Sequence, residues 1–153
     1  MSDSTIAVLV AGSGVMGKGI ALSFARAGLK TAILSRNPDA VSGVEPGVDV
    51  LGALPEAAPE LIIETIPEVM DLKLELNAQI EAAYQGNTII ASNTSSLPLQ
   101  TLADALLYPA KFCGMHYFQP ADVTPIVEVA AVAQSDEATI QTALSLLRQA
   151  GKQ

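Results

Sequence analysis

Short apolar runs recur along this chain, each bounded by glycine, proline or small polar residues. "TIAVLVAG" (5–12), "KTAILS" (30–35), "LIIET" (61–65) and "TIIAS" (88–92) are short and rich in β-branched residues. Such runs suit strands buried on both faces of a parallel sheet. The segments between them carry helical spacing. In "VMGKGIALSFARAG" the residues Ile20, Phe24 and Ala27 share one face, and Gly28 stops the helix. In "VMDLKLELNAQIEAAY" an apolar stripe of Leu72, Leu76 and Ile80 has polar residues opposite.

The stretch "RNPDAVSGVEPGVDVLGALPEAAPE" is punctuated by proline and glycine. It has room for a short strand at 48–51 and a helical turn near 55–58. "SLPLQTLADAL" reads as a short helix and "AKFCGMHYF" as a strand. "IVEVAAV" is a further strand, too close behind for a helical crossover, so an antiparallel pair is expected. "SDEATIQTALSLLRQAG" reads as a closing helix, with Ser135 as N-cap, Asp136 and Glu137 in the first turn and Gly151 as its stop. Strands alternating with helices predict an α/β fold with a doubly wound, mostly parallel sheet, in a single domain over residues 1–153.

Composition narrows the function classes. A chain of 153 residues can bury roughly 70% of its unfolded surface. Half its residues are hydrophobic and 16% are charged, as in a well-buried domain. The net charge of −8 offers no basic stripe for phosphates along a duplex, so no nucleic-acid partner is expected. One cysteine precludes an internal disulfide. No run approaches the ~20 apolar residues of a membrane span. The opening "MSDST" has no basic region of the kind that begins a signal peptide. The chain reads as soluble and cytoplasmic, with no membrane partner.

"GSGVMG" changes the picture. Gly12, Gly14 and Gly17 have the GxGxxG spacing, with Val15 and Met16 between them. The first glycine makes a tight turn, the second admits a pyrophosphate, and the third packs the helix close to the sheet. The loop follows a buried strand and opens an amphipathic helix, the setting of a Rossmann dinucleotide site. The alternative is a glycine-rich turn that binds nothing. About 20 residues further on, NAD sites place an acid on the ribose. Here "LSRN" puts Ser35 and Arg36 at that place. Serine does not repel a 2′-phosphate and arginine can pair with one, which predicts NADP over NAD. The alternative is a solvated surface arginine.

Polar residues interrupt the apolar strands at three further places. Ser95 follows Asn93 and Thr94 in "ASNTSSL", His116 ends a strand as the only histidine, and Glu128 lies inside the last one. Ligands of open α/β sheets bind beyond the carboxyl ends of the strands. Hydride exchange at an alcohol carbon needs a proton moved at its oxygen, which histidine does well. Glu128 would hold the imidazole if the two strands pair, and a hydroxyl would hold the substrate oxygen. A buried histidine capped by a glutamate for structural reasons is the competing reading.

The stretches "VAGSGVMGKGIALSFARAG", "IIETIPEVMDLKLEL", "ASNTSSLPL" and "GMHYFQPADVTPIVEVA" resemble, in order and spacing, the NAD-binding domain of the 3-hydroxyacyl-CoA dehydrogenase family. The resemblance implies reversible oxidation of a 3-hydroxyacyl thioester to the 3-ketoacyl form, with NAD as usual cofactor. It implies His116 as general acid/base, Glu128 as its partner and Ser95 on the substrate oxygen. It implies Asn93 at the nicotinamide end, and Glu68 and Lys73 near the cofactor ribose. The chain departs from the family at Ser35-Arg36, at Gln119 in place of an asparagine, and in the short segment from 36 to 61. It also stops at "QAGKQ", where the family continues into a helical substrate and dimerisation domain. The expectation is therefore an open sheet edge and uncovered apolar surface, met by self-association or by a separate helical subunit. Two alternatives are a non-catalytic cofactor module or fragment needing a partner domain, and a relative of the NADP-dependent β-hydroxyacid dehydrogenases acting on a small hydroxyacid.

Overall fold

The computed structural model describes residues 5–153; the first four residues of the opening stretch weighed above as a leader lie outside them. The strands are β1 (Val8–Ala11), β2 (Thr31–Leu34), β3 (Val48–Leu51), β4 (Leu61–Glu64), β5 (Ile89–Ser92), β6 (Phe112–Tyr117) and β7 (Val127–Ala131). They form one seven-stranded sheet in the order β3-β2-β1-β4-β5-β6-β7. The pairs from β3 through β6 are parallel, and β7 runs antiparallel to β6, as its short connection requires. The chain winds outward from β1 in one direction and then from β4 in the other. That reversal opens a crevice at the carboxyl ends of β1 and β4.

Among the described residues, four α-helices cover the sheet: α1 (Val15–Arg26), α2 (Met70–Tyr84), α3 (Leu99–Asp104) and α4 (Glu137–Gln149). Alternate strand residues face opposite layers. Val8 and Val10 join Ile20 and Phe24 of α1 and Leu146 and Leu147 of α4 in one core. Leu9 and Ile62 join Ile80 and Tyr84 of α2 and Leu102 of α3 in the other. This double cover is why the strands read as continuous apolar runs.

Four details differ from the sequence reading. Ile20 and Phe24 are fully buried, but Ala27 is the exposed C-cap of α1, one step before Gly28 at φ +86°. The buried face of α2 is not its leucine stripe. It is Lys73, Asn77, Ile80, Glu81 and Tyr84, while Leu72 and Leu76 line the crevice. Glu81 can be buried there because it is paired: its carboxylate accepts from the backbone N–H groups of Leu107 at 3.0 Å and Tyr108 at 2.7 Å. No helical turn forms at 55–58. The carbonyls of Pro55 and Pro59 instead accept from the Tyr84 hydroxyl at 2.5 Å and the Thr88 hydroxyl at 2.6 Å.

The cap of α4 is Asp136, which accepts from the Thr139 N–H at 2.8 Å. Ser135 donates instead to the Phe112 carbonyl at 2.6 Å and accepts from the Val132 N–H at 3.0 Å. Its hydroxyl is therefore spent on tying the helix entry to β6. The variant Asp136→Ala, which removes the cap, is expected to lower stability, read as a lower urea midpoint at unchanged slope.

Candidate active site

The crevice between the β1 and β4 ends is a groove of about 730 Å³, lined by Gly12 and Gly14 on one side and Leu72 and Leu76 on the other. Thr65 pins its floor, with its N–H and hydroxyl both donating to the Ala11 carbonyl at 2.8 and 3.1 Å. Gly12 sits directly against it at φ +128°, and a Cβ there would lie 2.3 Å from Thr65 Oγ1. A Cβ on Gly17 would lie 2.2 Å from the Gly12 carbonyl oxygen. Both glycines are therefore required by the protein itself. Gly14 differs: a Cβ there would meet nothing within 4 Å. Its bareness leaves space for a ligand at the N-terminus of α1, where no side chain caps the helix and no acid occupies the first turn. Val15, the first residue of α1, is exposed, and Met16 packs on the core. Unsatisfied amides at a helix start suit a pyrophosphate, and the glycine loop fits a dinucleotide.

Ser35 and Arg36 line the far end of the groove. The Ser35 hydroxyl accepts from the Asn37 N–H at 3.2 Å, and Arg36 is exposed with no ion pair among the described residues. Glu75 and Gln79 complete the opposite wall. These two were missed from the sequence because they stand on what looked like the solvent face of α2.

At the other end, β6 and β7 place His116 directly opposite Glu128 in register. His116 Nδ1 lies 3.4 Å from Glu128 Oε1, and Phe118 packs edge-on to the imidazole at 4.7 Å between centroids. Nδ1 is thus the ring nitrogen turned to the carboxylate. Asn93 follows β5 and accepts the Tyr117 N–H on its Oδ1 at 2.8 Å, tying the β5 loop to the end of β6. The side-chain NH₂ remains a donor. The Ser95 residue is exposed, and its hydroxyl makes no hydrogen bond among the described residues.

Glu68 organises that loop. Its Oε2 accepts from the Thr94 hydroxyl at 2.8 Å, the Ser96 hydroxyl at 2.8 Å, and the N–H groups of Ser95 at 3.1 Å and Ser96 at 3.2 Å. Burial pushes its pKa up, but hydrogen bonds from Thr94, Ser96, Lys73 and the Ser95 N–H outweigh that and hold it at about 2. Lys73, expected near the cofactor ribose, is engaged inside the protein. It is 1% exposed, and its three protons face Glu64 Oε2, Glu68 Oε1 at 3.2 Å and the Ile66 carbonyl at 3.0 Å. Glu64 itself was missed. The available signal was an acid ending one apolar strand in the same register as a serine ending the next, Glu64 opposite Ser92.

The family model described as "3-hydroxyacyl-CoA dehydrogenase, NAD binding domain" matches residues 7–50 and 48–153. The chain belongs to the 3-hydroxyacyl-CoA dehydrogenase family. It is 30% identical to 5-formyl-3-hydroxy-2-methylpyridine 4-carboxylate 5-dehydrogenase of Mesorhizobium japonicum, over 94% of this chain and 54% of that one. It is 39% identical to the fatty acid oxidation complex subunit alpha of Vibrio parahaemolyticus, over 61% of this chain and 13% of that one. The crystal structure of the 3-hydroxyacyl-CoA dehydrogenase of Archaeoglobus fulgidus superposes with a TM-score of 0.87 at 25% identity, covering 95% of this chain and 54% of that one. The chain thus spans about half the length of the first of these curated relatives and much less of the second.

Within this NAD-binding domain the glycine geometry separates folding from ligand binding. Gly12→Ala is expected to destabilise the fold. Gly14→Ala is expected to keep the thermal midpoint and weaken dinucleotide binding by about tenfold or more in calorimetry. The Glu68 tie has a defined pH window. Its pKa is depressed from 4.5 to about 2, so the tie is complete above about 4.5 and lost as pH falls through about 2. The amide shifts of Ser95 and Ser96 are expected to titrate in that window, and the titration is expected to vanish in Glu68→Gln.

Proposed function

We propose that this domain holds NAD(P) along the carboxyl edge of its sheet and that Ser95, His116 and Glu128 manage the proton in reversible oxidation of a 3-hydroxyacyl thioester to the 3-ketoacyl thioester. The observation that carries the reading is the cross-strand pair of His116 and Glu128 beside the β5 loop. A bound nicotinamide supplies or accepts the hydride at the carbon bearing the substrate oxygen. In oxidation, His116 Nε2 takes the hydroxyl proton from that oxygen; in reduction it returns it. Glu128 holds Nδ1–H and stabilises the imidazolium that forms. Ser95 donates its free hydroxyl to the same oxygen. Asn93 offers its NH₂ to the nicotinamide end. The amides of the Gly12–Gly17 turn take the pyrophosphate.

Arg36 would pair with a 2′-phosphate on the adenosine ribose, with Ser35 adding no opposing charge, so NADP is the preferred form. A second body is expected over the cleft. Phe118, Val123 and Ile126 are 38%, 68% and 54% exposed around the turn that follows His116. Such apolar surface beside a reacting group suits a covering domain, a helical subunit or a second copy that excludes water. A second reading keeps the site and changes the substrate. The relative that covers 94% of this chain is named as a dehydrogenase of a 5-formyl pyridine carboxylate, which favours a small substrate without a thioester.

Titration calorimetry with NADPH and NADH, followed by turnover of acetoacetyl-CoA, tests these points. NADPH is expected to bind more tightly, and Arg36→Ala to remove that preference while sparing NADH. No gain from the 2′-phosphate would reject the role of Arg36. Where turnover is seen, His116→Ala is expected to lower kcat by about 10²–10⁴-fold. Binding of neither cofactor would overturn the proposal. Turnover of a small aldehyde or hydroxyacid, with none of the thioester, would select the second reading.

A further inference from the structure

Four successive backbone N–H groups in the β5 loop are each held by one connected set of oxygens. Asn93 N–H donates to the Glu64 carbonyl at 2.9 Å, and Thr94 N–H to Ser92 Oγ at 3.3 Å. The N–H groups of Ser95 and Ser96 both donate to Glu68 Oε2. Every one of these acceptors leads back to Glu64. Ser92 Oγ donates to Glu64 Oε1 at 2.6 Å. Glu68 Oε1 is held by Lys73, which is held in turn by Glu64 Oε2. The Ile66 N–H adds a further bond to Glu64 Oε2 at 2.9 Å.

Glu64 is fully buried and does not line the groove. It therefore touches neither cofactor nor substrate. Buried ion pairs are weak grounds for stability, because desolvation offsets their attraction. This pair has a consequence beyond its own balance. Its two oxygens are divided between the two arms that suspend the loop, and the Ser95 hydroxyl is what the suspended loop leaves unspent.

We propose that Glu64 is a positioning residue: through Ser92 on one arm and Lys73–Glu68 on the other, it fixes the backbone that presents Ser95 to the substrate oxygen. This rests on the reading of Ser95 given above. Correct placement of a hydrogen-bond donor acts on the reacting state more than on cofactor affinity. Loosening the loop should therefore lower kcat and leave dinucleotide binding in the groove nearly intact.

The test uses Glu64→Gln and Ser92→Ala in the full chain. Ser92→Ala cuts one arm and leaves the buried charge pair whole, so it keeps the question open to experiment if Glu64→Gln does not fold. In each folded variant the amides of Thr94, Ser95 and Ser96 are expected to exchange faster, while those of β1 and β4 keep their protection. The Kd for NADPH or NADH is expected to stay within about threefold, and kcat to fall by about tenfold to a hundredfold. Folded variants with unchanged loop exchange and unchanged kcat would overturn the inference. So would a uniform loss of protection, affinity and kcat, which marks a merely structural pair. His116→Ala separates the two readings. If it leaves turnover unchanged, or if the chain turns nothing over, the catalytic reading falls and loop exchange alone decides whether Glu64 sets the backbone. If His116→Ala removes turnover and the Glu64 and Ser92 variants do not, only this inference falls.

Discussion

A negative charge with no access to water ends β4, and the carboxyl edge is arranged around it. Glu64 is 0% exposed. An isolated carboxylate in such a place costs several kcal/mol, so a cation must be brought to it. The cation is Lys73, the fourth residue of α2 and the first of its buried face. Turning Lys73 inward sets the rotation of the whole helix. Asn77, Ile80 and Tyr84 follow on the same side at helical spacing, and Leu72 and Leu76, about 100° around the axis, are swung into the groove. One charge pair thus shapes both ends of the site. It holds the loop that carries Ser95, and it gives the dinucleotide groove its apolar wall.

The architecture was legible because parallel strands covered on both faces must be apolar throughout, and Val8–Ala11, Leu61–Glu64 and Ile89–Ser92 nearly are. The antiparallel pair was legible from chain length alone, since no crossover fits between β6 and β7. That pair also made the contact of His116 with Glu128 readable. The phase of α2 was not. A stripe of leucines ordinarily marks the core, and nothing local says that the sheet beneath offers a carboxylate instead. The cap of α4 failed for a related reason: Ser135 and Asp136 are both good caps, and the choice is made by the Phe112 carbonyl, which is remote in sequence. The turn at 55–58 lost to two distant hydroxyls that claim the carbonyls of Pro55 and of Pro59 just beyond it.

Antiparallel pairing matters to the chemistry as well as to the fold. Residues in register across such a ladder face each other on one side of the sheet. His116 and Glu128, twelve positions apart in sequence, therefore meet without a loop to place them. Asn93 then ties the β5 loop to the next residue of β6, so the serine loop and the histidine strand are held to one frame. Rigid elements hold His116 and Glu128, and only the Ser95 hydroxyl depends on a loop. The density of bonds beneath that loop follows from this division.

The whole chain carries −8, yet its family binds an anionic dinucleotide. Long-range attraction cannot supply that affinity, because the field of an acidic chain opposes the ligand's approach. The balance is local. Among the described residues lining the groove, Glu75 and Arg36 carry opposite charges. The bare start of α1 adds oriented amides with no acid beside them. The carboxylates nearest the β5 loop, Glu64 and Glu68, turn toward Lys73 and toward hydroxyl and amide donors. Their charge is taken up inside the protein within a few bonds, at distances well under the Debye length of about 8 Å. An acidic domain can therefore keep a site for anions, because the two acids nearest the β5 loop are already engaged and the charge of Glu75 on the groove wall is matched by that of Arg36.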